Sequence, residues 1–227
     1  MEVPIDGRDV VAFMDFAQPI AVRSGGLGYA STTKRVIDLV LGLAILVGSL
    51  PIWLVVAVAI KLDSSGPIFH VQKRVGRGGR VFPFLKFRSM HRDAEARLAQ
   101  LLDLNEAEGP VFKLRRDPRV TRVGAFIRRT SLDELPQLIN VLRGEMSLVG
   151  PRPPLPREVE RYRPSDRVRL TVTPGLTCLW QVSGRADCSF DRWMELDRQY
   201  IAGMSLALDL RIILRTVWVV AIGRGAY

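Results

Sequence analysis

The sequence predicts an α+β protein, mostly helical, with one long membrane-associated segment and a short β-hairpin. Three observations predict it. Residues 36–60 form a 25-residue apolar run broken only by Asp38 and Pro51, and about 20 apolar residues suffice for a helix to cross a bilayer. Residues 71–75 and 81–87, rich in Val and Phe, flank the turn sequence Gly76-Arg77-Gly78-Gly79, which reads as a basic hairpin. Most of the later chain alternates helical stretches with Gly and Pro turns.

Taken in order, residues 1–33 read as a loosely packed arm ending in Ser24-Gly25-Gly26-Leu27-Gly28. Residues 34–61 make the membrane segment, and residues 62–227 the remaining domain. Lys34 and Arg35 precede the apolar run, and eight Lys/Arg against Asp63 alone occupy residues 61–92. Positive flanks favour the cytoplasmic side, and here both flanks are positive. Pro51 removes a backbone donor, and Ser49 can bond a freed backbone group. Two readings stay open on these grounds: a helix–break–helix that re-enters the same face, broken at Ser49 and Pro51, or a single kinked span. Helices are expected over residues 90–104, 135–142, 158–169, 189–201 and 206–222, with a short extended piece at 176–182.

The chain has 227 residues, 48% hydrophobic and 25% charged, and a net charge of +10. That mixture excludes a disordered polar tail and a polytopic transporter. The positive excess points to an anionic partner: nucleic acid, a membrane surface or phosphorylated substrates. The two cysteines, Cys178 and Cys188, form no Cys-x-x-Cys motif, and a cytosol-facing protein is the economical reading.

The chemical centre is expected at Ser131-Leu132-Asp133-Glu134-Leu135-Pro136. Ser131 and Glu134 have capping-box spacing, or the helix starts with Pro136 at its first position. Either version puts two carboxylates near a helix N-terminus, which would keep them ionised. An ionised Asp133 is a competent nucleophile toward phosphorus, and Glu134 beside it suits Mg²⁺. First-turn acids are more often simple dipole-stabilising residues. What favours chemistry is the surrounding cations: Lys86 and Arg88, Arg128 and Arg129, Arg152 between two prolines, and Arg185, each able to clamp phosphate oxygens.

A series of ordered blocks resembles the bacterial sugar transferases, also called monotopic phosphoglycosyl transferases. The blocks are Lys34-Arg35-x-x-Asp38, Gly66-Pro67, Gln72-x-Arg74-x-Gly76, 86–90 (KFRSM), 117–121 (DPRVT), 129–138 (RTSLDELPQL), 146–153 (MSLVGPRP), 174–177 (PGLT), 180–185 (WQVSGR) and Ser205-x-x-x-Asp209. The resemblance runs from about Thr33 to the C-terminus. It implies a re-entrant membrane helix, a small cytoplasmic catalytic domain and interfacial amphipathic helices, on the cytoplasmic face of the bacterial inner membrane. It implies transfer of a sugar-1-phosphate from a UDP-sugar to undecaprenyl phosphate through a phospho-Asp133 intermediate, with release of UMP, at the start of exopolysaccharide synthesis. Glu134 and Asp133 would hold Mg²⁺; Lys86 and Asp209 would be essential polar residues; Arg88, Arg128, Arg152 and Arg185 would bind phosphate. The ending Gly223-Arg224-Gly225-Ala226-Tyr227 is similar to that of relatives handling galactose or glucose. Membrane lipid would be a partner, nucleic acid would not, and related enzymes can dimerise. In two places the chain departs from the family pattern: Leu50 separates Ser49 from Pro51, and Cys178 stands where Gly is usual.

Rival readings are a conventional Mg²⁺-dependent glycosyltransferase and a membrane-tethered basic nucleic-acid binder. No Asp-x-Asp triplet occurs in the sequence, against the first. No nucleic-acid motif occurs, and the basic clusters alternate with Gly and Pro turns, against the second.

Overall fold

A computed structural model describes residues 32–106, 109–112, 114, 116–183 and 189–222. The expected N-terminal arm and Arg185 lie outside the described residues. The order is helix α1 (Lys34–Asp63), hairpin strands β1 (Phe69–Val75) and β2 (Val81–Phe87), α2 (Ala94–Leu98), α3 (Arg122–Arg129), α4 (Gln137–Arg143), β3 (Ser147–Val149), α5 (Pro156–Val159), β4 (Gly175–Thr177), α6 (Leu179–Val182), α7 (Phe190–Ala202) and α8 (Leu206–Ile222). The mostly helical α+β class is as expected.

The apolar run becomes a single 30-residue helix with Pro51 inside it. The expected interruption at Ser49 and Pro51 is not present as a gap in the helix. Instead the Ser49 hydroxyl donates to the Leu46 carbonyl (3.0 Å) and accepts from the Trp53 indole N–H (3.1 Å). The carbonyl that Pro51 leaves without its helical donor is that of Val47, four residues earlier, so this hydroxyl bond stands beside the one proline removes and does not replace it. Most of α1 stays bare, with Val40, Val47, Leu54 and Val55 among its exposed residues.

Both ends of α1 are nevertheless fastened to the same domain. At the N-terminal end, Arg35 donates to the Val141 and Leu142 carbonyls (2.6 and 2.8 Å) in the last turn of α4, where carbonyls lack a full set of helical donors. Asp38 accepts from the Leu148 N–H (2.8 Å) and the Ser147 hydroxyl (3.0 Å), which ties α1 to β3. Lys34 makes a buried ion pair with Asp209 of α8, and Asp209 also accepts from the Tyr200 hydroxyl (2.9 Å). At the C-terminal end, Val56 and Ile60 pack with Phe87 and Ile127. The Asp63 carboxylate accepts from the Val123 N–H (3.0 Å), capping an orphan donor of α3.

The hairpin forms as expected, antiparallel from Phe69↔Phe87 to Val75↔Val81. Gly78 and Gly79 turn it at positive φ (68° and 79°), where side chains are disfavoured. Its inner face carries His70, Gln72 and Arg74 opposite Lys86, Phe84 and Phe82. Phe82 and Phe84 join the main core with Leu138, Val141, Met146, Leu148, Tyr200 and Ile212. Asn140, fully buried, staples α4 to β2: it accepts from the Leu85 N–H (3.1 Å) and donates to the Pro83 carbonyl (2.7 Å).

Several elements differ from expectation. Residues 90–104 hold only the five-residue α2 and a 3₁₀ stretch, and Met90 itself is extended, bridging Val120. The helix expected over 158–169 divides into α5 and a 3₁₀ run at Pro164–Thr171; Pro164 cannot continue a helix but suits the start of a new one. The extended piece expected at 176–182 is β4 followed by α6. β3 and β4 pair in parallel, Ser147↔Gly175 and Val149↔Thr177, a pairing not anticipated. They meet so closely that a Cβ on Gly175 would lie 2.0 Å from the Gly150 nitrogen.

Removing one partner of a buried ion pair costs about 3–5 kcal/mol, whereas replacing both by apolar groups is often neutral. Lys34→Met is therefore expected to lower unfolding stability in detergent by about that amount, and Lys34→Met/Asp209→Leu to recover most of it. A double variant as unstable as the sum of its singles would contradict a direct pairing.

Candidate active site

Asp133 and Glu134 sit on a single 3₁₀ turn, Leu132–Glu134, between α3 and α4. The turn is entered through Ser131, the one described non-glycine residue with positive φ (57°). Ser131 makes no side-chain cap, so the capping box is absent. Pro136 stands immediately before the seven-residue α4, close to the alternative in which it opens the helix.

The expectation that a helix terminus would keep Asp133 ionised is corrected. Its carboxylate is buried, at 9% exposure. Burial first, and then the neighbouring Glu134 charge, push it up to about 7; removing a carboxylate from water disfavours its charged form. Lys86, Arg128 and Arg152 act in the opposite sense.

Lys86 is the last residue of the hairpin's inward row after Phe82 and Phe84. Its place where the core ends explains its chemistry: burial lowers its ammonium to about 8, with Asp133 opposing. Arg152 donates to Glu134 Oε1 at 2.9 Å. The Pro151-Arg152-Pro153 mount is held from two sides. Arg74 donates to the Pro153 carbonyl (2.9 Å), and Arg169 donates to the Arg152 carbonyl (2.8 Å). Arg169 is itself fully buried and paired with Asp197 at 2.9 Å. A chain of contacts thus runs from Asp197 through Arg169 and the Arg152 backbone to Glu134.

The structure brings Asp133, Glu134, Lys86, Arg128 and Arg152 into one electrostatic cluster. Two other expected residues are engaged elsewhere. Arg88 is buried and donates to the Ser64 carbonyl (2.7 Å) and the Ser65 carbonyl, holding the loop after α1. A Cβ on Gly66 would lie 2.4 Å from its guanidinium. Asp209 pairs with Lys34 at the base of α1, as described above. Ser49 and Pro51 lie within α1.

Two residues were missed as site members. Arg74, beside Gln72 (2.8 Å) and over the Phe84 ring (5.1 Å), is lowered to about 10 by burial and by Arg152. Its signal was the alternation His70-x-Gln72-x-Arg74, read as a basic hairpin with no face assigned. Arg169 gave no signal, lying in a segment of alternating charges. Cys178 is buried and its thiol raised by that burial, which makes it unreactive.

Among the described residues no cluster of three or more His, Cys, Asp or Glu side chains is placed to hold a metal. Two adjacent carboxylates do fit Mg²⁺, which takes one or two protein carboxylates and completes its shell with water and substrate phosphates. Two carboxylates among four cations form an arrangement suited to transferring a phosphate-bearing group.

That is the class the site defines, and sequence comparison gives the family. The family model described as bacterial sugar transferase matches residues 29–223, and the chain belongs to that family. It is 48% identical over 197 residues, 85% of this chain, to a galactosyl transferase, CpsE, of Streptococcus agalactiae. It is 44% identical over 202 residues, 86% of this chain, to an undecaprenyl-phosphate galactose phosphotransferase of Salmonella typhimurium. These matches span 43% and 41% of those relatives, so the chain corresponds to less than half their length. Against the exopolysaccharide production protein ExoY of Sinorhizobium fredii it is 40% identical over 199 residues, covering 88% of that relative.

Carbon-13 NMR of labelled aspartate carboxyls tests the electrostatics directly. The Asp133 carboxyl is expected to titrate at about 7, and Lys86→Met to move that midpoint upward, because the cation stabilising its charged form is gone. A midpoint near the ordinary value of 3.8 would show the site to be open to water.

Proposed function

We propose that the protein transfers a sugar-1-phosphate from a UDP-sugar, UDP-galactose or UDP-glucose, to undecaprenyl phosphate, at the start of exopolysaccharide repeat-unit synthesis. The observation that carries this reading is the buried Asp133–Glu134 turn among Lys86, Arg74, Arg128 and Arg152, on a domain that also holds a bare apolar helix. The names of the Salmonella, Streptococcus and Sinorhizobium relatives support it.

An Asp133 oxygen attacks the sugar-bearing phosphorus, and the bond to the bridging oxygen breaks. UMP leaves with that electron pair, and the sugar phosphate remains on Asp133. An oxygen of the polyprenyl phosphate then attacks the same phosphorus, and the Asp133 carboxylate is released. No proton must be gained or lost by Asp133 once it is ionised. Arg152 holds Glu134 in place, while Lys86, Arg74 and Arg128 supply positive charge where phosphate oxygens gather. Mg²⁺ held by Asp133 and Glu134 would neutralise diphosphate charge. One site serves two phosphates in turn, which gives ping-pong kinetics.

The same proposal places the domain on the cytoplasmic face of the inner membrane, with α1 re-entering that face. Three features support this. Both ends of α1 are fastened to one domain, its flanks are positive, and most of its apolar side chains between those ends stay exposed. Exposed Leu206, Leu210, Leu214, Val217 and Trp218 of α8 recur at helical spacing on one side, with Asp209 and Ile212 buried on the other. Such a helix suits the headgroup boundary.

Asp133→Asn is expected to lower both UMP release and lipid-linked product more than about 1,000-fold, the scale on which covalent catalysis depends on its nucleophile. Release of UDP instead of UMP would assign the conventional glycosyltransferase chemistry.

The pH dependence follows from the two shifted groups. Activity rises as Asp133 loses its proton near pH 7 and falls as Lys86 loses its own near pH 8. The expected profile is a narrow bell, and Lys86→Met removes its alkaline limb.

For topology, single cysteines at Thr32 and Ser64, with both native cysteines replaced by serine, are expected to label from the same side. Labelling from opposite sides would establish a span.

A further inference from the structure

A stripe of buried residues runs from the Asp133 turn into α4. Asp133, Gln137, Asn140 and Val141 are buried, and their spacing puts them on one side of a helix. The winding continues across the junction: the Leu138 N–H donates to the Leu135 carbonyl (3.0 Å) and the Ile139 N–H to the Pro136 carbonyl (3.1 Å). The stripe lies along β2. One end is fixed by the Asn140 bonds to Leu85 and Pro83, and at the other Asp133 feels the Lys86 charge. Gln137 stands between those ends.

Asn140 and Glu134, its polar neighbours on this stretch, are engaged. Asn140 also donates to Glu145 Oε2 (2.5 Å), and Glu134 accepts from Arg152. Gln137 differs. It is 1% exposed, and its amide nitrogen has no hydrogen-bond partner among the described residues. A sealed amide donor without an acceptor is destabilising, and a methionine would fill the same space without that cost. Such a donor points to an acceptor that reaches it at another stage of the protein's work. Helical side chains lean over the turn N-terminal to their own Cα, which for Gln137 is the turn holding Asp133 and Glu134. Arg152 already holds Glu134. Asp133 is governed by burial and neighbouring charges, with no hydrogen bond among the main influences on it.

We infer that Gln137 is a positioning residue for the Asp133 carboxylate: during transfer its amide donates to the oxygen that does not attack phosphorus. The inference rests on the proposed function above and adds how one carboxylate oxygen is selected. Hydrogen bonds of this kind are often long or unmade before substrate binds and tighten afterwards. In the first step one Asp133 oxygen gives an electron pair to phosphorus, and UMP leaves with the pair of the broken bond. The other oxygen becomes the carbonyl of a mixed anhydride, which still accepts from a neutral donor. In the second step the bond between phosphorus and Asp133 breaks, and its pair returns to the carboxylate, whose charge the amide stabilises. No proton moves, and Gln137 keeps both amide hydrogens throughout. Fixing the carboxylate plane serves both steps, because the reacting oxygen must stay aligned with phosphorus.

Gln137→Met, made in the full-length chain, keeps the volume and removes the donor. Unfolding stability in detergent is expected to hold or rise. In ping-pong kinetics kcat/KM for the UDP-sugar and kcat/KM for undecaprenyl phosphate report separate half-reactions. Both are expected to fall about tenfold or more, the scale of a hydrogen bond to a charged group, with both KM values unchanged. A fall for one substrate alone would make Gln137 a substrate contact, and unchanged rates would make it packing; either overturns the inference.

A second measurement does not depend on that variant folding. Unaltered protein carrying nitrogen-15 glutamine is given UDP-galactose or UDP-glucose without polyprenyl phosphate, so that the phospho-sugar stays on Asp133. The Gln137 side-chain amide, identified by its loss in Gln137→Asn, is expected to move downfield and to exchange more slowly with water. An amide that does neither would overturn the inference. Absence of UMP release and of any adduct on Asp133 would instead defeat the proposed function.

Discussion

The structure depends on a charge pair placed where an apolar helix meets a folded domain. Lys34 and Asp209 are both nearly inaccessible, with side chains 7% and 6% exposed. Neither charge could be held there alone, because removing a single ion from water costs several kcal/mol. Together with Tyr200, Arg35 and Asp38 they fix the start of α1 against α8, α4 and β3. Apolar helix faces offer no direction of their own, since lipid and side chain are equally apolar. Polar bonds at the base of α1 supply the direction that apolar packing lacks. A role in holding α1 would also make Asp209 indispensable without contact to substrate, which is a different basis for the importance that the family resemblance gave it.

The site follows the opposite logic. Lys86, Arg74, Arg128 and Arg152 repel one another, and Asp133, Glu134 and the buried Glu158 offset only part of that charge. Lys86 and Arg74 are both lowered by burial and by cationic neighbours. Asp133 is raised by burial although three cations oppose the rise. Such an arrangement is unfavourable when empty and is relieved by a polyanion. A diphosphate would neutralise the excess cations, and the cations would then stabilise charge as it moves between phosphate oxygens. The Arg169–Asp197 pair matters here because it holds the Arg152 backbone in place despite that repulsion.

Much of this was legible in the sequence. The apolar run, the Gly-rich hairpin turn and the stripe of α8 all follow from local periodicity, and each formed where expected. The paired carboxylates stood out because cations surrounded them. Other features depended on partners far along the chain. Alternation in β1 shows that His70, Gln72 and Arg74 share a face, but polar residues ordinarily face water, and here they face the site. The parallel pairing of β3 with β4 joins segments 28 positions apart from Ser147 to Gly175, and no local pattern encodes it. Arg88 looked like a phosphate clamp because it is basic and near Lys86. Alternation alone would continue it on the Lys86 face, but β2 ends at Phe87, and Arg88 is used on the carbonyls of residues 64 and 65. The Asp133 turn was misread because a capping-box pattern requires Ser131 in extended backbone, whereas its φ is 57°.

α1 has two surfaces with different partners, and α3 links them. Its Val56 and Ile60 side pack on Ile127 and Phe87, while Asp63 caps the first turn of α3. The C-terminal end of α3 then delivers Arg128 and, four residues after Arg129, Asp133. A displacement of α1 at its C-terminal end would therefore move the Asp133 turn through one short rigid helix. Thr121 caps the same helix through the Gly124 N–H (2.9 Å), and a Cβ on Gly124 would lie only 1.9 Å from the Ser89 carbonyl oxygen, so α3 has little freedom to slide. The placement of the C-terminal half of α1 and the position of the Asp133 carboxylate are thus set by one contact surface. The proposed transfer between a water-soluble phosphate and a lipid-bound one would require that coupling, since an error in depth would separate the carboxylate from one substrate or the other.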